Sequence, residues 1–217
     1  MSEDFDFEPI PGLPAVPPQG ERILWQGQPD GWALAVRAFH VRKVAVYFAL
    51  LVAWRGIAAH GEGLTVAAAS RHMLWIALLG VACMGVLTLL AHAYARSTIY
   101  TITSRRVVIR SGVALPVTVN LPFSKIDAAA LKLRADGSGD IPLRLAKGNR
   151  IAALVLWPNW RPGRFTRPEP MLRCIRGAEA VAGLLAAALS GAPVQPQGLI
   201  ATAPESNAGG ALPTPAT

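Results

Sequence analysis

The segment Trp157-Pro158-Asn159-Trp160-Arg161-Pro162-Gly163-Arg164-Phe165-Thr166-Arg167 brings three aromatic rings and three guanidinium groups into one short stretch. Its prolines keep it out of regular helix or strand. Aromatic bodies beside planar, permanently charged forks suit a lipid interface or a protein partner. The plainer reading is a loop folded over a domain with its arginines in water. Trp157, Trp160, Arg161, Arg164, Phe165 and Arg167 are therefore the contact candidates. A second group, Arg105, Arg106 and Arg110, together with Lys125, Lys132 and Arg134, would make a basic face able to lie on anionic lipid. Each such residue near a membrane surface adds about 1 kcal/mol. Ordinary solvated charge is the competing account for any one of them.

Chemistry of other kinds finds little to work with. Reactive nucleophiles need a neighbouring base, acid–base catalysis a placed carboxylate pair, and phosphate loops a specific glycine spacing. None of these spacings occurs, and Gly137-Ser138-Gly139 reads as a turn. His40, His60 and His72 lack the i, i+4 spacing and carboxylate partners of a metal site. Cys83 and Cys174 are too scattered for a disulfide framework or a paired-thiol metal site. His92, in an apolar run, is the lone candidate for a cofactor ligand inside a membrane; packing or hydrogen bonding between helices is the more ordinary role. The expectation is a protein without catalytic residues, metal or cofactor.

The elements that must position these residues follow from hydropathy and charge. The 217 residues are 52% hydrophobic and only 16% charged, with a net charge of +8. Met73 to Ala91 is an uncharged run of 19 residues, close to the length that spans about 30 Å of hydrocarbon. Val44 to Ala59 is a second span interrupted by Arg55, whose stem can carry its charge to the interface. Arg37, Arg42 and Lys43 precede the pair and Arg96, Arg105, Arg106 and Arg110 follow it, whereas only Arg55 and Arg71 lie near the connection. The positive-inside rule then places both termini of this multi-pass membrane protein in the cytoplasm. Tyr47, Tyr94, Trp54 and Trp75 fall at interfacial depths. No secretory signal precedes the spans.

Residues 1–43 read as a Pro-rich cytoplasmic arm that ends in a basic interfacial helix, Trp32 to Lys43, with Ile23-Leu24-Trp25 as a short docking element. Residues 44–95 form the transmembrane hairpin, with spans 44–60 and 73–95. From 96 to 190 the pattern changes to period two, most cleanly at Val113, Leu115, Val117, Val119 and Leu121, and turn chemistry predicts five to seven short antiparallel strands. Strands are expected near Thr98 to Thr103, Val107 to Ile109, Ile141 to Ala146 and Ile151 to Trp157. Pro170 is placed to open a helix through Met171, Leu172, Ile175, Ala182, Leu185 and Leu189, ended by Gly191 and Pro193; a third span over 176–190 competes with it, but its uncharged part is short. Residues 191–217 are expected to be disordered. Between Arg96 and Arg176, 15 basic residues face four acidic ones, which calls for an anionic partner. In a tethered domain that partner is membrane lipid rather than nucleic acid.

An apolar hairpin followed by Ser97-Thr98-Ile99-Tyr100-Thr101-Ile102-Thr103-Ser104-Arg105-Arg106-Val107-Val108-Ile109-Arg110-Ser111-Gly112 resembles the membrane-anchored bacterial pleckstrin-homology-like (PH-like) domains. Within that class Phe7-Glu8-Pro9-Ile10-Pro11-Gly12-Leu13-Pro14, Glu21-Arg22-Ile23-Leu24-Trp25-Gln26-Gly27 and Pro168-Glu169-Pro170-Met171-Leu172-Arg173 are similar to the photosynthetic complex assembly proteins of purple bacteria, over about residues 5–190. The resemblance implies an α+β membrane protein: a two-helix hairpin, then a cytoplasmic antiparallel β-barrel or sandwich capped by a C-terminal helix. It also implies a non-enzymatic factor promoting assembly or stability of the photosynthetic reaction centre and its light-harvesting antenna. Its partners would be reaction-centre subunits, other assembly factors or antenna polypeptides, with anionic membrane lipid, no nucleic acid, and self-association into a homo-oligomer as an open option. The alternative is a generic membrane-anchored PH-like scaffold that senses anionic lipid or stress and is unrelated to photosynthesis.

Overall fold

The computed structural model describes residues 10–113, 115–146, 156–161 and 168–196. Three helices lie near the start. Helix α1 (Gly31–Arg37) begins where Asp30 Oδ1 accepts the Ala33 amide at 2.8 Å, satisfying a donor the first turn leaves open. Helix α2 (Val41–Gly61) follows His40, and α3 (Val66–Ser97) is capped by the Thr65 hydroxyl, which accepts the Ala68 amide at 3.3 Å. Both α2 and α3 are long and apolar enough to cross a membrane, and only 6% of each apolar window is buried. A core helix of a soluble domain would be covered by its neighbours instead.

The two long helices pack together through Gly80, where a Cβ would lie 2.7 Å from Cγ of Phe48. Only a glycine lets the ring of α2 approach the backbone of α3 so closely. At the far end Arg55 forms paired hydrogen bonds with Glu62, Nη1 and Nη2 each 3.1 Å from Oε2, and Nη2 lies 3.1 Å from Nδ1 of His72. The arginine that interrupts the apolar run is thus held at the connection, where its charge has a partner.

The expected interfacial helix from Trp32 to Lys43 is corrected by the structure. The helix breaks at residues 38–40, with His40 in the left-handed region at φ 55°, and α1 is packed rather than peripheral: Leu34 and Ala35 are fully buried, against α3 and Cys174. The left-handed His40 lets α1 keep Leu34 and Ala35 buried while α2 leaves in its own direction.

Among the described residues eight strands form two antiparallel sheets. The first has the order β1 (Ile23–Gly27), β2 (Ile99–Thr103), β3 (Arg106–Ser111), β4 (Val117–Pro122). The second centres on β7 (Gly139–Leu145), which pairs with β5 (Ile126–Ala129), β6 (Lys132–Leu133) and β8 (Met171–Ile175). The docking element before the long helices is therefore an edge strand, joined to β2 across the whole hairpin. The arm ahead of it is anchored as well: Leu13 is fully buried, and Gln26 Nε2 donates to the Pro11 carbonyl at 3.1 Å.

The sheets face each other as a sandwich and are not closed into a barrel. Ile102, Val107, Ile109 and Leu121 from one side meet Ile141, Leu143, Leu172 and Ile175 from the other. Helix α4 (Ala178–Leu189) covers the core with Val181, Leu184 and Leu185.

Two boundaries differ from expectation. The helix read from Pro170 begins only at Ala178, because Met171–Ile175 is β8: all five of its residues are buried on both faces, and it pairs with β7 while its Met171, Arg173 and Cys174 amides donate to Asn159, Tyr100 and Asp140, which overrides a helical spacing of apolar residues. The strand read from Val113 begins only at Val117. Gly112, at φ 130°, turns the chain back so that a Cβ would meet the Leu115 carbonyl oxygen at 2.1 Å, and Pro116 has no amide to donate. Val113 and Leu115 are left exposed at 54% and 81%. Of the strand expected over Ile151 to Trp157, the described end, Leu156 and Trp157, is not in a strand; the rest, and residues 197–217, lie outside the described residues.

Candidate functional site

Of the contact candidates, Trp157 lies where the end of α3 meets the sandwich. Asn159, 1% exposed, is the organising residue. Its Oδ1 accepts the Tyr100 hydroxyl at 2.8 Å, its Nδ2 donates to the Tyr94 hydroxyl at 3.0 Å, and its carbonyl accepts the Met171 amide at 2.9 Å. One residue thereby ties α3 and β2 through its side chain and β8 through its backbone. Burial pushes the Tyr100 phenol well above its ordinary value, so at neutral pH it is a hydrogen-bond donor.

Trp157 sits beside this knot with its ring edge-on to Phe39 at 5.7 Å and to Tyr94 at 6.3 Å. It remains half exposed, at 53%. With Leu90, Val113, Leu115 and Val117 it lines an open apolar cleft of about 410 Å³. Trp160 bridges to Pro170 and packs against the core edge. The Arg161 amide donates to the Glu169 carbonyl at 3.0 Å, and its Nη1 lies 3.1 Å from Oε2 of buried Glu169. Arg164, Phe165 and Arg167 fall outside the described residues.

The three arginines of the other group are not gathered on one exposed face. Arg106 forms a two-pronged pair with Glu21, Nε to Oε1 at 2.7 Å and Nη2 to Oε2 at 3.1 Å, fastening the arm to β3. Arg110 is buried in β3. Arg105 is exposed in the β2–β3 turn. His92 is held by its own helix, Nδ1 lying 2.9 Å from the Thr88 carbonyl oxygen, and Gly31 lies against the Cδ2–Nε2 edge of the ring. No cluster of three or more His, Cys, Asp or Glu able to hold a metal occurs among the described residues.

At the α1–α2 joint, where Arg37 and His40 lie, is a basic pocket of about 720 Å³. Arg37, His40, Lys132, Arg134, Arg161 and Arg173 line it, with Asp140 as its acidic member. Most of these cations are tied. Arg37 bonds Asp136 at 2.8 Å and the Ser138 hydroxyl at 2.7 Å, and Arg134 pairs with Asp140. The Ser138 hydroxyl and amide, with Arg37, hold the Asp136 carboxyl at about 2. Arg173 is only 8% exposed and donates Nη1 to the Pro158 carbonyl at 2.9 Å and Nη2 to the Arg37 carbonyl at 3.3 Å.

Nearby, burial would raise the pKa of Asp30, but the Ala33 amide and Arg176 outweigh it and leave it lowered. The Asp30–Arg176 pair, Nε to Oδ2 at 2.8 Å, locks the start of α1 to the end of β8. Buried Cys174 has its thiol pushed up by burial and by the Asp140 charge, which makes it unreactive. Asn159, Arg173 and Asp30 were not among the sequence candidates. For Arg173 the available signal is a charge inside the otherwise apolar run Met171 to Ile175.

Residues 37–189 match the bacterial PH domain family. An uncharacterized 23.7 kDa protein in the puhA 5' region of Rhodobacter capsulatus is 44% identical over 207 residues, spanning 94% of this chain and 95% of its own. No solved structure gives a significant match. The matched stretch runs from the last residue of α1 to the last of α4 and so takes in both long helices and all but the first strand of the sandwich. On that match the chain belongs to the bacterial PH domain family.

Proposed function

We propose that this protein is a non-enzymatic, membrane-anchored assembly factor for the photosynthetic reaction centre, of the PuhB type. The observation that carries the reading is the relative of nearly equal length whose description sets it in the puhA region of a photosynthetic bacterium. Two exposed apolar helices supply the anchor, and both ends of the hairpin join the same PH-like sandwich, which would then lie on one side of the bilayer. Arg37, Arg42, Lys43 and Arg96 at that end favour the cytoplasmic side of an inner, intracytoplasmic membrane. The hairpin surface would meet apolar subunits or antenna polypeptides, and the exposed aromatic edge at Trp157 other assembly factors, without any catalysed reaction.

The test is deletion of the gene in its native host, followed by near-infrared absorption of isolated membranes during phototrophic induction. Reaction-centre absorption that falls or lags while total membrane protein holds is the expected result. Identical spectra would replace this reading with that of a lipid-responsive anchor of the same fold, which the basic pocket favours independently.

A further inference from the structure

We propose that His92 is the axial ligand of a metallotetrapyrrole seated against the exposed apolar side of α3. The imidazole is held in one orientation. Its Nδ1 lies 2.9 Å from the Thr88 carbonyl oxygen. A carbonyl only accepts, so in the neutral ring the proton sits on Nδ1 and Nε2 keeps its lone pair. A backbone carbonyl on the second nitrogen is the arrangement that fixes the tautomer of metal-bound histidines and raises their basicity. Gly31 steadies the ring from one face: a Cβ there would lie 2.9 Å from Cδ2 and 3.2 Å from both Cγ and Nε2, which puts it above the ring plane. The in-plane direction of the Nε2 lone pair stays open, and among the described residues no donor reaches it.

The surroundings select the kind of metal compound. A bare ion needs several protein ligands, and among the described residues no group of His, Cys, Asp or Glu supplies them. A metal that takes one imidazole on an apolar face must carry its other ligands with it, as a tetrapyrrole does with its ring nitrogens. The flank of His92 suits a flat apolar disc. Leu89, 70% exposed, shares its side of α3. Gly85, two turns earlier, leaves nothing within 4 Å of a Cβ position, and the exposed ring of Trp32 follows Gly31 directly. Arg96, exposed one turn beyond His92, offers a cation to a ring carboxylate at the end nearest the sandwich. The inference rests on the membrane reading of α3 and goes beyond the assembly role, which needs no bound cofactor.

The full chain is reconstituted into phosphatidylcholine nanodiscs and titrated with magnesium protoporphyrin, haem and metal-free protoporphyrin, with empty nanodiscs as the blank. Binding is read from the Soret band and from quenching of tryptophan emission. The expected result is saturable binding of a metal-containing ring with a shifted Soret band. His92→Ala should weaken it about tenfold or more, and His60→Ala, at an exposed position of α2, should leave it unchanged. Free imidazole should restore the shift to His92→Ala, which shows that the variant is folded and lacks only the ligand. The tighter of the magnesium and iron forms identifies the metal. Equal binding of the metal-free ring, equal effects of the two variants, a loss that imidazole does not rescue, or uptake no greater than that of empty nanodiscs overturns the proposal. A chain that stays out of the nanodisc defeats the membrane reading and this site with it. One that enters and fails these criteria defeats the site alone and leaves the assembly role standing.

Discussion

Tyr100 and Asn159, 59 positions apart, share a 2.8 Å hydrogen bond at a point where neither side chain reaches solvent. The same phenolic oxygen accepts the Arg173 amide at 3.2 Å. Tyr100→Phe strands Asn159 Oδ1 and that amide together, and is expected to lower unfolding stability by about 1–3 kcal/mol, measured by denaturant titration in detergent. Because the folded pKa of Tyr100 lies above its unfolded value of about 10, its contribution is complete below that pH. It is lost as the pH rises toward the folded value. Absorption at the phenolate band should show one tyrosine that ionises only with unfolding, and Tyr100→Phe should remove it.

The Asp136 carboxyl offers the opposite sign. Its folded value of about 2 lies below the unfolded 3.8, so its contribution is present above pH 3.8 and disappears as the pH falls toward 2. Carbon-detected NMR titration should find its midpoint near 2. Ser138→Ala should raise that midpoint more than Arg37→Gln does, since the Ser138 hydroxyl exerts the largest lowering; the reverse order would contradict the geometry.

Gly80 and Gly85 make a matched pair on α3. A Cβ at Gly80 meets Phe48, whereas one at Gly85 meets nothing within 4 Å. Gly80→Ala should cost about 1–3 kcal/mol by forcing the helices apart, and Gly85→Ala should be neutral or mildly stabilising. Thermal unfolding of the two variants in the same detergent checks the difference.

The turn between β3 and β4 presents Leu115 at 81% exposure beside Leu90 of α3, itself half bare. If the apolar surface of α3 lies in lipid, this turn reaches the same interface. An environment-sensitive fluorophore on Leu115→Cys, with Cys83 replaced by Ala, should shift to the blue on reconstitution and be quenched by brominated lipid. Emission typical of water would place the turn away from the bilayer.

Much of this architecture is legible without coordinates. The two long helices follow from uninterrupted apolar length. β2 and β3 follow from β-branched runs around a Ser-Arg turn, and β7 from alternation after the Asp136-Gly137-Ser138-Gly139-Asp140 turn. These signals are local: hydropathy and turn chemistry act over a few residues, and neighbours in sequence carry all the information.

The rest depends on contacts between distant segments. Met171–Ile175 has a spacing compatible with a helix and becomes a strand because β7 offers an open edge and the core needs both its faces covered. Val113 and Leu115 alternate like a strand and stay outside it because Gly112 turns the chain before β4 begins. Ile23–Gly27 joins a sheet whose next strand lies beyond the entire hairpin, so no window of local sequence holds both partners. The candidate site divides in the same way. The aromatic and guanidinium composition of 157–161 is visible in the chain, but the buried Asn159 knot and the carbonyl-bound, buried guanidinium of Arg173 exist only after α1, α3, β2 and β8 converge. What the sequence determined is which segments are apolar, extended or turned; what the tertiary structure decided is which polar groups lose water together, since desolvation is a property of the packed neighbourhood and not of the residue.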